Sequence, residues 1–198
     1  MPGLLENKKG LAFIISAPAG TGKTTLVRKL VQEFPSVVTS ISYTTRSPRP
    51  GEVEGIDYHF ITVSEFEKKI VAGDFLEYVK LYDTYYGTSR QWVEERQNQG
   101  KHVVLVIDTQ GALQLKRNFS AVYIFIRPPS LEILKERLKK RQTEEPKMLK
   151  QRLDWAKVEL EASQFYDYLI VNDDLDTAYD ILRSIIIAEC HRIKLLKG

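Results

Sequence analysis

Phe13-Ile14-Ile15-Ser16-Ala17-Pro18-Ala19-Gly20-Thr21-Gly22-Lys23-Thr24-Thr25-Leu26-Val27-Arg28-Lys29-Leu30 is the stretch that decides the architecture. An apolar strand, Leu11 to Ile15, runs into a turn of small residues, Ser16 to Gly22. From Lys23 onward, Leu26, Val27 and Leu30 recur at helical spacing. Gly22, Lys23 and Thr24 therefore stand at a strand–loop–helix junction, the setting in which a phosphate-binding loop has physical meaning. The first helical turn leaves backbone N–H groups free, and the helix dipole adds partial positive charge there. Lys23 adds a full charge toward the terminal phosphates of a nucleotide, and the Thr24 hydroxyl is placed to bind Mg²⁺. One position departs from the pattern, which asks for Gly five residues before Gly22; this chain has Ala17, acceptable if its φ stays negative. A lone G-K-T is compatible with a plain turn capping a helix, but the strand before it, the helix after it and Gly20 within it favour phosphate binding.

The bulk composition sets bounds. The chain has 198 residues, 43% hydrophobic and 28% charged, an ordinary globular balance. Such a length buries roughly 70% of its extended surface, so a core forms without staples, and one body with an insertion fits better than two domains. A net charge of +3 is too mild to imply nucleic acid. The single Cys190 excludes an internal disulfide framework and a cysteine metal cluster, and its apolar helical setting reads as a small buried hydrophobe. His59, His102 and His191 form no ligand-spaced pair. The N-terminal ten residues lack the apolar core of a signal peptide, and no apolar run approaches the ~20 residues of a membrane span. The expectation is a cytoplasmic protein with no membrane or nucleic-acid partner, monomeric or a small homo-oligomer.

Four continuous apolar runs read as buried parallel strands: 11–16, 102–108, 121–127 and 168–172. Helical patterns separate them at 23–33, 89–99, 110–117, 130–141, 147–165 and 175–195, with Gly100 as a C-terminal cap. This alternation argues for a doubly wound α/β sheet whose ligands collect at the carboxyl ends of the strands. The region 36–88 breaks the rhythm with β-like pieces at 37–43, 58–62 and 75–81 and one helix, 65–72, opened by the capping box Ser64-x-x-Glu67. It reads as a small mixed insertion. The polar stretch 142–147, flanked by arginines, suits a mobile lid.

The insertion opens with Ser42-Tyr43-Thr44-Thr45-Arg46-Ser47-Pro48-Arg49-Pro50-Gly51-Glu52. Two arginines three apart, stiffened by prolines, form a double fork for a phosphate or carboxylate, although a solvated basic turn has the same composition. Tyr58, Glu77 and Tyr85-Tyr86-Gly87-Thr88 follow. A carboxylate accepts two parallel hydrogen bonds, and guanine offers such an N–H pair on its pairing edge; half-buried strand packing is the alternative for the tyrosines, Tyr78 and Tyr82 above all. Asp108 ends an apolar run beside the phosphate loop, where a carboxylate holds Mg²⁺ through water or contacts substrate. Asp108-Thr109-Gln110-Gly111 fits the loose D-x-x-G of regulatory GTPases, but Asn172-Asp173-Asp174 lacks the lysine of their guanine-reading motif. Arg137 and Arg141 lie one helical turn apart and Arg152 follows; arginines around a polar loop suit phosphoryl transfer, while the nearby lysines read as solvated charge.

At this point the chain resembles the guanylate kinase family, kinases that transfer a phosphate from ATP to GMP. The similarity spans Leu11 to about Glu189 and is most specific from Ser42 to Phe60, S-Y-T-T-R-S-P-R-P-G-E-V-E-G-I-D-Y-H-F. Y-Y-G-T (85–88), I-D-T-Q-G (107–111), P-P-S (128–130) and V-N-D-D-L (171–175) support it. The resemblance implies a P-loop nucleoside monophosphate kinase fold: a parallel sheet core flanked by helices (1–35, 89–136, 153–198), a mixed α/β GMP-binding insertion (36–88) and a lid (137–152). It implies that Ala17, Pro18, Ala19, Gly20, Thr21, Gly22, Lys23, Thr24 and Thr25 hold the ATP phosphates, with Thr24 on Mg²⁺ and Asn172 near the adenine. Arg46, Arg49, Tyr58 and Tyr86 would hold the GMP phosphate, and Ser42, Glu77, Thr88 and Asp108 would read the guanine edge. Lys23, Arg137, Arg141 and Arg152 would be the catalytic set, dGMP a second acceptor, and guanine nucleotide synthesis and recycling the use. No general base is demanded, because the GMP phosphate is already a competent nucleophile.

Three parts of the chain depart from the family pattern: the loop, with Ala17 and Ala19; the strand end, with Val106 where a second aspartate is usual; and the lid, with Gln142 where glycine is usual. Val106 removes a carboxylate from the metal's neighbourhood. Two other readings stay open at this level. One is a guanylate-kinase-like module that binds phosphorylated peptides, although such modules have lost the ATP loop. The other is a kinase for a phosphorylated ribose, which would not need Glu77, Ser42 and Thr88 together.

Overall fold

The structure is a computed structural model that describes residues 9–81, 83–140 and 146–192. Five parallel strands form the central sheet in the order β2-β7-β1-β8-β9. They are β1 (Ala12–Ser16), β2 (Val37–Thr39), β7 (His102–Val106), β8 (Val122–Arg127) and β9 (Tyr168–Val171). Helices cover both faces, which is why the strand sequences are continuously apolar rather than alternating. Phe13, Ile15, Val104, Ile124 and Ile126 point to one side, onto α1 (Lys23–Glu33) and α7 (Leu175–Cys190). Ile14, Val103, Leu105 and Tyr123 point to the other, where Val93 of α3 (Arg90–Asn98) and Ala112 and Leu115 of α4 (Thr109–Lys116) meet them. A third cluster joins Leu134 and Leu138 of α5 (Leu131–Lys140) to Ala156 of α6 (Pro146–Ala162).

The expected strands and helices all form, with ends shifted by a few residues. The largest trims fall at the chain's later helices: α6 gives way to a 3₁₀ turn at Ser163–Phe165, and α7 stops at Cys190 rather than 195. Cys190 is buried in the core, and burial pushes its thiol up to about 12, in keeping with a packing role. Gly100 takes φ 76° just after α3.

Two expectations need correction. Val37–Thr39, counted with the insertion, is the edge strand of the core sheet, paired in parallel with β7 through Val37↔His102 and Thr39↔Val104. Three residues are too few for a periodicity to separate a core edge strand from an insertion strand. The helix of the insertion, α2 (Val63–Ala72), starts two residues earlier than expected, and its capping box is Thr62 with Glu65 rather than Ser64 with Glu67. Both pairs satisfy the S/T-x-x-E pattern. The helix buries Phe66, whose ring stacks on Phe75 at 4.3 Å and on Tyr85 at 5.0 Å.

Beyond Ser40 the insertion forms a four-stranded sheet in the order β4-β3-β6-β5. Its strands are β3 (Tyr43–Thr44), β4 (His59–Phe60), β5 (Phe75–Leu81) and β6 (Thr84–Ser89). The antiparallel β5–β6 hairpin carries a register shift between Phe75 and Glu77, and it places Glu77 opposite Thr88. α4 packs against β5, so the insertion's polar face looks toward the carboxyl ends of β1 and β7. Residues 141–145, the centre of the expected lid, lie outside the described residues; Arg137 and Arg152 fall on α5 and α6.

The two-sided core gives the first test. Phe13→Ala is expected to cost about 3–5 kcal/mol in urea unfolding, because its ring is fully buried. Val71→Ser, at a side chain 90% exposed, is expected to stay within about 0.5 kcal/mol.

Candidate active site

The phosphate loop gets its shape from two left-handed glycines, Gly20 (φ 87°) and Gly22 (φ 93°). Thr21 between them is buried, and its hydroxyl and N–H both donate to the Pro18 carbonyl, at 2.7 and 3.2 Å. Ala17, where the pattern asks for Gly, has its methyl packed in the core. The turn is made downstream of it, so the missing glycine is absorbed. Gly22 precedes α1 with no side-chain cap, leaving the first-turn N–H groups to the loop's interior. Thr24 and Thr25 are exposed on that first turn. Lys23 bends back over the loop, with Nζ 3.5 Å from the Ala17 carbonyl.

Beside this loop lies a cavity of about 300 Å³ lined by Lys23, Ser42, Tyr58, Glu77, Tyr86 and Asp108 among others. The cavity joins residues from the loop, from the insertion and from the end of β7. At its floor Thr88 Oγ1 donates to Glu77 Oε1 at 2.6 Å, and both residues are buried. The other Glu77 oxygen lies against Gly111: a Cβ there would sit 2.5 Å from Oε2. Gly111 is thus the residue of D-T-Q-G that lets the carboxylate reach the first turn of α4. Asp108 caps the same helix, its Oδ1 accepting the Gly111 N–H at 2.9 Å. Burial pushes the Glu77 carboxyl up to about 7; Thr88 opposes the shift and the Asp108 charge adds to it. Burial also raises Asp108, while the backbone N–H groups of Gly111 and Gln110 and the Lys23 charge pull it back.

Beside Tyr58, which lines the cavity, Arg46 forms a bidentate pair with Glu52, both bonds 2.6 Å. Its guanidinium lies 4.9 Å from the Tyr58 ring centre, and Tyr58 meets Tyr86 edge-on at 6.0 Å. Glu52 also accepts the Arg49 backbone N–H at 2.8 Å, closing the R-S-P-R-P-G-E turn on itself. The Arg46 fork holds the Glu52 carboxyl down to about 2. Arg46 and the two tyrosines therefore form one rigid group, with Arg49 exposed at its rim.

Arg137 and Arg152, two arginines of the expected catalytic set, line different cavities. Arg137 faces a separate cavity of about 330 Å³ beyond the loop, lined by Gly20, Thr21, Gly22, Lys140, Asn172 and Asp173. There it donates to the Asn172 carbonyl at 3.0 Å and the Asp173 carbonyl at 3.4 Å. Arg152 lines a third cavity with Lys80, Gln110, Trp155 and Glu159. Arg141 lies outside the described residues.

Sequence reading passed over two acids. Glu52 reads in sequence only as part of a turn, yet it stands at i, i+6 from Arg46, its partner. Glu159, 5% exposed on α6, reaches the first cavity together with Trp155. Burial pushes its carboxyl up to about 7, opposed by the Lys23 charge. Burial lowers Lys23, with Glu159 and Asp108 opposing. The signal was the i, i+3, i+7 face of Arg152, Trp155 and Glu159, hidden among other charges of α6. Val106 lines the same cavity. Among the described residues no three His, Cys, Asp or Glu side chains converge on a metal position, and no helix is long and apolar enough to cross a membrane.

Comparison with known proteins agrees with this geometry. A model of the family described as "Guanylate kinase" matches residues 9–189. A guanylate kinase of Protochlamydia amoebophila is 69% identical over 188 residues, covering 95% of each chain. One from Geobacter sulfurreducens is 44% identical over 191 residues, covering 96% of this chain and 94% of its own. The crystal structure of guanylate kinase from Anaplasma phagocytophilum superposes with a TM-score of 0.79 at 32% identity, covering 94% of this chain and 89% of that one. With a phosphate loop, an acid-floored cavity and a family match over nearly its whole length, the chain belongs to the guanylate kinase family.

Proposed function

We propose that this enzyme transfers the terminal phosphate of ATP to GMP, giving ADP and GDP, and that dGMP serves as a second acceptor. The observation that carries the reading is the single cavity shared by Lys23, Glu77, Tyr58 and Tyr86, with the Arg46 guanidinium beside the Tyr58 ring. An acid at its floor suits the paired N–H donors of a guanine edge, and cations at its rim suit a nucleotide phosphate. Ser42, Thr88 and Asp108 complete the base side, and Arg49 the phosphate side. The loop from Ala17 to Thr25 takes the donor phosphates, with the adenine toward Asn172 and the cavity beyond the loop. The peptide-binding alternative has no use for an intact loop and lysine. Guanine nucleotide synthesis and recycling in the cytoplasm is the corresponding role.

The donor set suits Mg²⁺ that arrives with ATP rather than a resident ion. The exposed Thr24 hydroxyl makes no hydrogen bond among the described residues, and one Asp108 oxygen is committed to capping α4. Thr24 would hold the ion alongside the ATP phosphates and water, the usual arrangement for a site with few protein carboxylates. When bound, Mg²⁺ supplies charge neutralisation at the phosphates. Lys23 and the loop N–H groups hold the donor, the Arg46 group holds the acceptor phosphate, and Arg137, Arg141 and Arg152 are the cations available to close over the transferring group. Catalysis is then positioning and charge stabilisation.

Three outcomes check this. Lys23→Ala is expected to lower kcat by roughly 10²–10³-fold in a coupled ADP assay; activity equal to the parent would remove the loop from the mechanism. Glu77→Gln is expected to raise the KM for GMP more than about tenfold with the KM for ATP nearly unchanged, and equal damage to both would contradict the guanine assignment. The third concerns the empty enzyme. Burial raises the Glu77 carboxyl above its unfolded value, so its contribution to stability is complete below the unfolded value of 4.5 and lost as pH rises through about 7. The stability of the parent relative to Glu77→Gln, from urea unfolding, is expected to fall between about pH 5 and 8; a flat difference would contradict the buried-acid assignment.

A further inference from the structure

The two residues that meet behind the phosphate loop are Thr21 and Asn172. The Asn172 side-chain amide lies 2.6 Å from the Thr21 carbonyl oxygen, in a buried contact. The nearer amide atom has to be nitrogen, because a carbonyl only accepts. Asn172 is itself pinned from two sides. Its backbone N–H donates to the Arg127 carbonyl at the end of β8, at 2.9 Å, and its carbonyl accepts from Arg137 of α5, at 3.0 Å. Its side chain is 4% exposed.

The consequence follows from the peptide bond. The Thr21 C=O and the Gly22 N–H belong to one planar trans unit, so they point in opposite directions. Whatever holds the carbonyl outward aims the N–H inward. Gly22 is the residue at the start of α1, and its N–H is one of the donors an anion would meet in the loop. A Cβ at Gly22 would lie 2.6 Å from the Asn172 Nδ2, so the absence of a side chain there admits the amide as well as the left-handed φ.

We infer that Asn172 is a positioning residue of the phosphate loop: by holding the Thr21 carbonyl it aims the Gly22 N–H into the anion cradle, whatever base the donor carries. The contact also ties the loop to α5, since Arg137 grips the Asn172 carbonyl on the opposite side. This role differs from contact with adenine, and it rests on the proposed reading of the loop as the donor site.

The probe that separates the roles is Mg²⁺–tripolyphosphate, which has the phosphates of ATP and no base. Its binding to the parent, in competition with ATP, is measured first by calorimetry; no competitive binding there would overturn the loop reading and this inference with it. Asn172→Leu keeps the side-chain size without a donor, and Asn172→Ala removes the side chain. Both are expected to weaken tripolyphosphate by roughly five- to tenfold, and ATP by a similar factor, with GMP affinity in the same preparations unchanged. Weaker ATP binding with tripolyphosphate unaffected would make Asn172 a base contact only and overturn the inference. Equal loss of GMP binding in both variants would mean general unfolding and overturn it too.

Discussion

A loop that turns its backbone N–H groups inward must give its carbonyls to something else, and most of this site depends on how that is done. Buried carbonyls left unpaired cost about 1–3 kcal/mol each. Here Pro18 O is taken by the Thr21 N–H and hydroxyl, Ala17 O by Lys23, and Thr21 O by Asn172. The two left-handed glycines make the geometry reachable, and these bonds hold it. Because Asn172 follows β9 and is anchored to β8, the loop's shape depends on the far half of the sheet. That explains why the site sits at the carboxyl ends of β1, β7 and β8.

The second constraint is charge. Glu77, Asp108 and Glu159 all have raised carboxyls, each chiefly through burial, and the charges of Asp108 and Glu159 act on the Lys23 ammonium. Two of the acids are held for identifiable reasons: Glu77 by Thr88 and by the space at Gly111, Asp108 by the N-terminus of α4. Sharing that helix terminus eases the repulsion between them, since its dipole favours negative charge. On the other side, Glu52 holds the Arg46 fork, whose plane is fixed between a carboxylate and two rings. Val106 places no acid in this arrangement, which suits an ion that comes with its nucleotide.

Much of this was legible in the chain because local signals agreed with the fold. For the strand–loop–helix from Leu11 to Leu30, the continuous apolar runs and the long Ser42–Phe60 motif, context favoured one reading over the plainer alternatives. Other features were settled by tertiary contact. Thr62 and Ser64 both head a valid capping box in sequence, and the structure forms the one at Thr62. Val37–Thr39 is too short to declare its sheet. Glu159 looked like one more helix charge, and nothing about Asn172 in V-N-D-D announces that its amide faces Thr21, 151 residues away. The separation of Arg137 from Arg152 is equally a matter of how α5 and α6 pack.

The proposed chemistry requires one cavity to read guanine while the loop beside it delivers phosphate. A coupled assay with ATP and Mg²⁺, offering GMP, AMP, CMP and UMP side by side, tests this most directly. kcat/KM for GMP is expected to exceed each of the others by at least about 10³-fold, because a buried acid facing a base without paired N–H groups is left unsatisfied. Comparable turnover of AMP would contradict it.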